Sequence, residues 1–169
     1  MEVDFFGWNT EQDRGRTFAE ATADLTARFP QYGELIRAYD ERYLEALGGA
    51  IQPVVEILYQ LKSAGYRIFG LSNWPAEKFA LVRPRYPFFE WFEDLIISGE
   101  VKLAKPDKAI FDLLLERAGQ PPGKCLFIDD HAGNIRAARE LGFQTILFQS
   151  PQQLEEELER RGILGGNSP

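Results

Sequence analysis

The stretch KCLFIDDHAGNIRAARELG, residues 124–142, sets an apolar run against two adjacent carboxylates. Cys125-Leu126-Phe127-Ile128 is short and β-favouring, which reads as a buried strand. Asp129 and Asp130 stand where that strand leaves the core, and neighbouring like charges repel. A bound cation, a shifted pKa or full solvation must offset that repulsion. The bland alternative is a solvated turn at a strand end.

Outward from this stretch, the chain alternates helices and strands. Upstream, YRIFGLSN and DLIIS read as strands, with a short helix near Ala76–Val82 and an aromatic stretch between them. PDKAIFDLLLERAG reads as a helix opening at Pro106, and CLFID as the next strand. AGNIRAARELG is a helix, FQTILF a strand and PQQLEEELERRG a last helix. From residue 53 onward this alternation predicts an α/β, doubly wound parallel sheet with helices on both faces. Two helices precede it and a third opens it. RTFAEATADLTARFP carries a capping box, Thr17 with Glu20, and stops before Pro30. YGELIRAYDERYLEAL spaces Leu35, Ile36, Tyr39, Tyr43 and Leu47 helically and ends at Gly48-Gly49. PVVEILYQLKSAG places Pro53 in its first turn. The expected organisation is a helical unit over residues 1–49, a Rossmann-like core over 50–164 and a loose tail over 165–169.

Composition narrows the function classes. With 169 residues, 44% apolar and 27% charged, the chain is globular and of one-domain size. A net charge of −7 disfavours nucleic acid and anionic membranes as partners. Cys125 is the single cysteine, so there is no disulfide framework or cysteine-based zinc site. No apolar run approaches the roughly 18 residues that a membrane span needs. The expectation is a soluble cytoplasmic protein.

Three strand ends carry polar chemistry. Ser72-Asn73 follows IFGL, Asp129-Asp130 follows LFI, and Lys105 stands between them in KLAKPDKAIF. A hydroxyl and backbone N–H groups suit phosphate oxygens. A lysine acts as a point charge on phosphate or carboxylate. A carboxylate pair suits Mg²⁺, a hard cation that keeps waters and shares ligands with substrate phosphate. In an open α/β sheet these groups gather at one edge, outside the carboxyl ends of the strands.

The order of these pieces resembles the haloacid dehalogenase-like hydrolase superfamily. IFGLSNW is similar to its second motif, a strand ending in Ser or Thr. AKPDKAIF is similar to its third, a lysine followed by Pro, and CLFIDDHAGNI to its fourth, an acidic pair after an apolar strand. The likeness covers roughly residues 50–150, and the upstream helices with WNTEQDRGRTFAEA look like the family's small cap. It implies a Mg²⁺-dependent phosphomonoester hydrolase acting through an aspartyl-phosphate on a small phosphorylated metabolite. Ser72 and Lys105 would be catalytic, and Asn73, Trp74 and Asn134 would bind substrate. One or both of Asp129 and Asp130 would hold the metal. The metal-type pair favours a phosphatase over a dehalogenase, with the sugar-phosphate phosphatases and epoxide hydrolase phosphatase domains as the most similar branch.

The family's first motif, an apolar strand ending in the nucleophilic Asp, has no counterpart in MEVDFFGWNT. Asp4, with three residues before it, is a poor substitute. In the family fold this strand is central, so its loss would open two strand edges. The expectation is therefore an N-terminally truncated hydrolase, or a natural remnant that binds phosphate ligands without turnover. A homodimer or strand-swapped partner would fill the gap. A 2-haloacid dehalogenase is the alternative enzyme. A response-regulator receiver is disfavoured, because there the acidic pair precedes the hydroxyl and the lysine. His131 is expected at the site mouth facing solvent, and the run YPFFEWF in packing.

Overall fold

A computed structural model describes residues 4–165, so the tail expected over 165–169 lies, apart from Gly165, outside the described residues. The chain opens with α1 (Phe5–Asp13), α2 (Phe18–Arg28) and α3 (Gly33–Glu41). α1 lacks an apolar stripe at helical period and was not expected. It begins because the Asp4 carboxylate caps it, accepting the Gly7 N–H at 3.0 Å. Asp4 is thus an exposed helix cap. Thr17 and Glu20 form the reciprocal capping box that opens α2. Trp8, Phe18, Ala21, Leu25 and Ile36 make a small core for these helices, with Tyr39 and Tyr43 packed against it.

The helix expected to run to Leu47 stops at Glu41, and Tyr43–Ala46 form a 3₁₀ turn. Lys78 Nζ donates to the Asp40 carbonyl at 2.8 Å. That is the carbonyl a continuing α-helix would offer to the Leu44 N–H. A tertiary contact from 38 residues downstream competes with the helix end.

The larger unit continues with α4 (Gln52–Ser63), β1 (Phe69–Ser72), α5 (Ala76–Val82), β2 (Asp94–Ile97) and α6 (Ser98–Val101). It ends with α7 (Lys108–Ala118), β3 (Leu126–Asp129), α8 (Ala132–Glu140), β4 (Gln144–Leu147) and α9 (Pro151–Arg160). The helix expected from Pro106 begins at Lys108, because residues 105–107 form the turn that presents Lys105. The aromatic run 86–92 coils into 3₁₀ turns whose rings pack on one another, with Phe88 and Phe89 at 4.8 Å and Phe79 and Phe89 at 5.2 Å.

All strand pairs among the described residues are parallel. β1 pairs with β2 in the register Phe69↔Asp94 to Ser72↔Ile97. β3 pairs with β4 from Leu126↔Gln144 to Asp129↔Leu147. β1 and β3 form no ladder, so the sheet is interrupted between them. The alternation of the backbone shows which groups border the interruption. Ile68 O accepts Glu93 N–H, so even-numbered residues of β1 face β2 and the Leu71 carbonyl turns away. In β3 the carbonyls of Cys125 and Asp129 bond the β4 side, which leaves the Leu126 and Ile128 main chain on the other edge.

Helices cover both faces of the β3–β4 pair. On one side Phe111, Phe127 and Phe143 meet edge to face, with centroids 5.3–6.2 Å apart, among Ile96, Ile110, Leu114, Ile135 and Ala138. On the other, Ile57, Ile146, Leu154, Leu158 and Leu164 form a second cluster, with Leu126 and Ile128 against it. This two-sided burial is the doubly wound arrangement, and it fixes the strands' carboxyl ends at one edge. No described helix is long and apolar enough to cross a membrane.

Candidate active site at the strand ends

The turn at 105–107 swings the Lys105 side chain across the interruption in the sheet. Its ammonium donates to Leu71 O at 2.8 Å on one side and to Asp129 Oδ2 at 2.6 Å on the other. The lysine thereby spans the edges of both strand pairs. Its side chain is 11% exposed and that of Asp129 4%, so this is a buried ion pair whose charges lose their partner only at high cost. The Phe127 ring lies 5.8 Å from the ammonium.

Two asparagines hold this pair in place. Asn73 clamps the Lys105 backbone from both sides: its Oδ1 accepts Lys105 N–H at 2.8 Å and its Nδ2 donates to Lys105 O at 2.9 Å. Asn134, buried on α8, donates to Asp129 Oδ1 at 2.9 Å, and the His131 backbone N–H donates to the same oxygen at 2.8 Å. Asp129 therefore accepts three charge-assisted or amide hydrogen bonds. Ser72 lies at the end of β1, and its hydroxyl takes no partner among the described residues. Asp130 is exposed and likewise unpartnered among them. The site combines a fixed cation, a buried carboxylate that accepts three hydrogen bonds, a free carboxylate and a free hydroxyl.

The expected residues thus converge, with a division the sequence did not give. Ser72, Lys105, Asp129 and Asp130 gather at the interruption. The side-chain amides of Asn73 and Asn134, expected to meet substrate, are engaged with Lys105 and Asp129. What Asn73 still offers a ligand is its backbone N–H. Trp74 turns toward the helical cap, donating from Nε1 to Tyr43 Oη at 3.0 Å. His131 is exposed at the start of α8, as expected. Cys125 is half-buried with its Sγ 3.6 Å from Pro121 O, and burial raises its thiol pKa.

The seam between cap and core carries residues the sequence did not single out. Lys78 is buried on α5 and pairs with Asp40, its ammonium 4.2 Å from the Phe18 centroid. Glu77 Oε2 accepts the Phe18 N–H at 3.1 Å, and Arg14 Nη1 meets Asp107 Oδ2 at 2.8 Å. No periodicity marks Lys78 in AEKFALV as buried, because its partners come from a different element.

For Mg²⁺, the donor chemistry fits in part. Asp129 and Asp130 are hard oxygen donors, suited to an ion that keeps several waters. The described residues contain no group of three or more acidic, His or Cys side chains able to hold a metal.

A family model for haloacid dehalogenase-like hydrolases matches residues 2–142. The chain belongs to that family of hydrolases. It is similar to (S)-2-haloacid dehalogenase 4A of Burkholderia cepacia, 28% identical over 134 residues, 79% of this chain and 55% of the relative. Sesquiterpene phosphatase astK of Aspergillus oryzae is 25% identical over 97 residues, 56% of this chain and 50% of the relative. The chain thus spans about half the length of these two curated relatives. Among solved structures, it resembles a family enzyme of Bacteroides thetaiotaomicron crystallised as a mutant with magnesium and inorganic phosphate. That likeness has a TM-score of 0.69 at 25% identity and covers 82% of this chain and 74% of the other.

Proposed function

We propose that this chain carries the core of a Mg²⁺-dependent phosphomonoesterase acting on a small phosphorylated metabolite. The observation that carries the reading is Lys105, held across the sheet interruption with Ser72 and Asp130 unpartnered beside it. A dianionic phosphate meets there a fixed ammonium, a hydroxyl donor and the Asn73 N–H, which suit its peripheral oxygens. Asn73 and Asn134 would hold Lys105 and Asp129 in position while charge shifts onto the leaving oxygen. Mg²⁺, held by Asp130 with Asp129, would neutralise phosphate charge when bound.

In this reading a carboxylate oxygen attacks phosphorus, the P–O ester bond breaks, and the alkoxide leaves with a proton. Water then hydrolyses the acyl phosphate to inorganic phosphate. The attacking group sits on a strand between β1 and β3, which the described residues do not contribute. The bordering Leu71, Leu126 and Ile128 main chains offer the hydrogen-bonding edges for such a strand. The Bacteroides enzyme's crystals with magnesium and phosphate support the ligand assignment. The Burkholderia relative keeps a dehalogenase as the second reading; the adjacent carboxylates at 129 and 130 favour metal-assisted chemistry.

The test is turnover of an aromatic phosphomonoester with Mg²⁺ once a segment carrying the attacking carboxylate is joined to or mixed with this chain. The expected result is hydrolysis lost on chelation and in Asp130→Asn. Binding of Mg²⁺ and inorganic phosphate to the folded chain without turnover would sink the hydrolase reading in favour of a phosphate-binding protein. Halide release from a 2-haloacid without metal would establish the second reading.

A further inference from the structure

Two polar ladders face each other across the cap. Asn9 and Asp13 lie one turn apart on α1, and Tyr39 and Tyr43 one turn apart along α3 and the turn after it. The first rung is closed: the Tyr39 hydroxyl donates to Asn9 Oδ1 at 3.2 Å. The second rung is open. Asp13 is half-buried and has neither a hydrogen bond nor an ion pair among the described residues. It stands close enough to both tyrosines for its charge to raise their hydroxyl pKa values, after burial as the larger cause for each. Burial also pushes the Asp13 carboxyl up to about 6.

Two residues that neighbour Asp13 in sequence or in space reach the strand ends. Arg14, its neighbour, is bound to Asp107, two residues beyond Lys105. Tyr43 is bound to Trp74, two residues beyond Ser72. Arg14 is committed to Asp107 and Lys78 to Asp40, so neither balances Asp13. Gln12, next to it, is wholly buried with neither amide atom partnered among the described residues. The C-terminal turn of α1 thus carries a carboxylate that has lost part of its hydration and gained no protein partner among the described residues. An ionised carboxylate can only accept hydrogen bonds, so what satisfies it must be a donor.

We propose that Asp13 recognises a hydrogen-bond donor, an ammonium or hydroxyl group, on the leaving-group side of an organic phosphate held at Ser72 and Lys105. Asp13 is then a specificity-determining residue of the cap; this inference rests on the phosphate site proposed above. It requires donor-bearing phosphates to bind better than alkyl phosphates of equal size, and Asp13 to be the cause.

The experiment is titration calorimetry of the full chain with Mg²⁺ against aminoethyl phosphate, glycerol phosphate and propyl phosphate, in wild type and Asp13→Asn. A charged acceptor should give a preference of about ten-fold or more for a donor-bearing ligand over propyl phosphate. The amino and hydroxyl arms show which donor the site takes. In Asp13→Asn, whose amide oxygen still accepts but carries no charge, that preference should fall several-fold, most for aminoethyl phosphate, with propyl phosphate affinity unchanged. Equal affinity of all three for wild type, or a preference undiminished in the variant, overturns the inference while leaving the phosphate site standing. Failure of all three and of inorganic phosphate to bind overturns the phosphate site itself, and this inference with it. Should Asp13→Asn not fold, wild type alone decides: protonation removes the charge that strengthens the hydrogen bond, so the preference must shrink between about pH 8 and pH 5. A ratio unchanged over that range overturns the inference.

Discussion

Among the described residues two lysine side chains are largely buried, each against an aspartate and an aromatic ring, yet their surroundings differ. Lys78 ties the cap to the core through Asp40, whose side chain is 32% exposed, and meets the Phe18 and Tyr43 rings. Its partners leave it nothing to give a ligand. Lys105 faces an aspartate that is 4% exposed, and beside it Ser72 and Asp130 have no partners among the described residues. Burial of a charge is thus no sign of function by itself. The informative feature is a buried charge adjoining polar groups the fold does not satisfy.

The sharpest way to break this comparison is to remove each ammonium. Lys105→Met leaves the Asp129 carboxylate buried without its cation, and should cost about 3–5 kcal/mol of stability. It should also abolish phosphate binding, and Lys105→Arg should not restore it, since the fork cannot reproduce a point charge at two short contacts. Urea melts and phosphate titration check both. Lys78→Met strips a partner from the more exposed Asp40, which water can partly rehydrate. Its cost should be lower, about 2–3 kcal/mol, with phosphate affinity retained. If Lys78→Met destroyed phosphate binding in a folded chain, the division between seam and site would collapse.

Asn134→Ala sharpens the comparison on the acidic side. It removes one of three donors to Asp129 Oδ atoms and should cost about 1–2 kcal/mol. If Asn134 serves to position Asp129, Mg²⁺ affinity should fall even where the melt shows a folded protein. Unchanged Mg²⁺ affinity would sink that role.

Much of this was legible in the sequence, and the limits have physical causes. The strands could be read because β-favouring apolar runs end abruptly in Ser72-Asn73 and Asp129-Asp130, and because buried parallel strands need no alternation. The capping box at Thr17 is local and therefore readable. α1 was not, because Phe5 and Trp8 lie among Gly7, Asn9 and Thr10 without a clear helical stripe, and its start depends on a single cap at Asp4. The break after Glu41 was beyond reach, since its cause is Lys78 on another element. The asparagines show the same limit at the site. Sequence placed Asn73 and Asn134 near the strand ends, but only tertiary geometry turns one amide onto the Lys105 backbone and the other onto Asp129.

The smallest effect concerns Asp13 and tests the cap's open rung independently of any ligand. Its carboxyl is raised from 3.8 to about 6 by burial, so the native state binds a proton more tightly than the unfolded chain. Stability from this group is therefore fully present below the unfolded pKa near 4 and is lost as pH rises through about 6. After allowance for its partial exposure, the swing should be about 1 kcal/mol. Glu20, Glu45, Glu93 and Glu157 act in the opposite direction, since hydrogen bonds to their side chains lower their pKa values. The wild-type curve alone mixes these trends; the difference between wild type and Asp13→Asn isolates one of them. Asp13→Asn should gain on wild type by that amount between pH 4 and pH 7. A difference that stays flat across this range would mean that Asp13 is hydrated like any surface carboxylate, and that the second rung is closed by water.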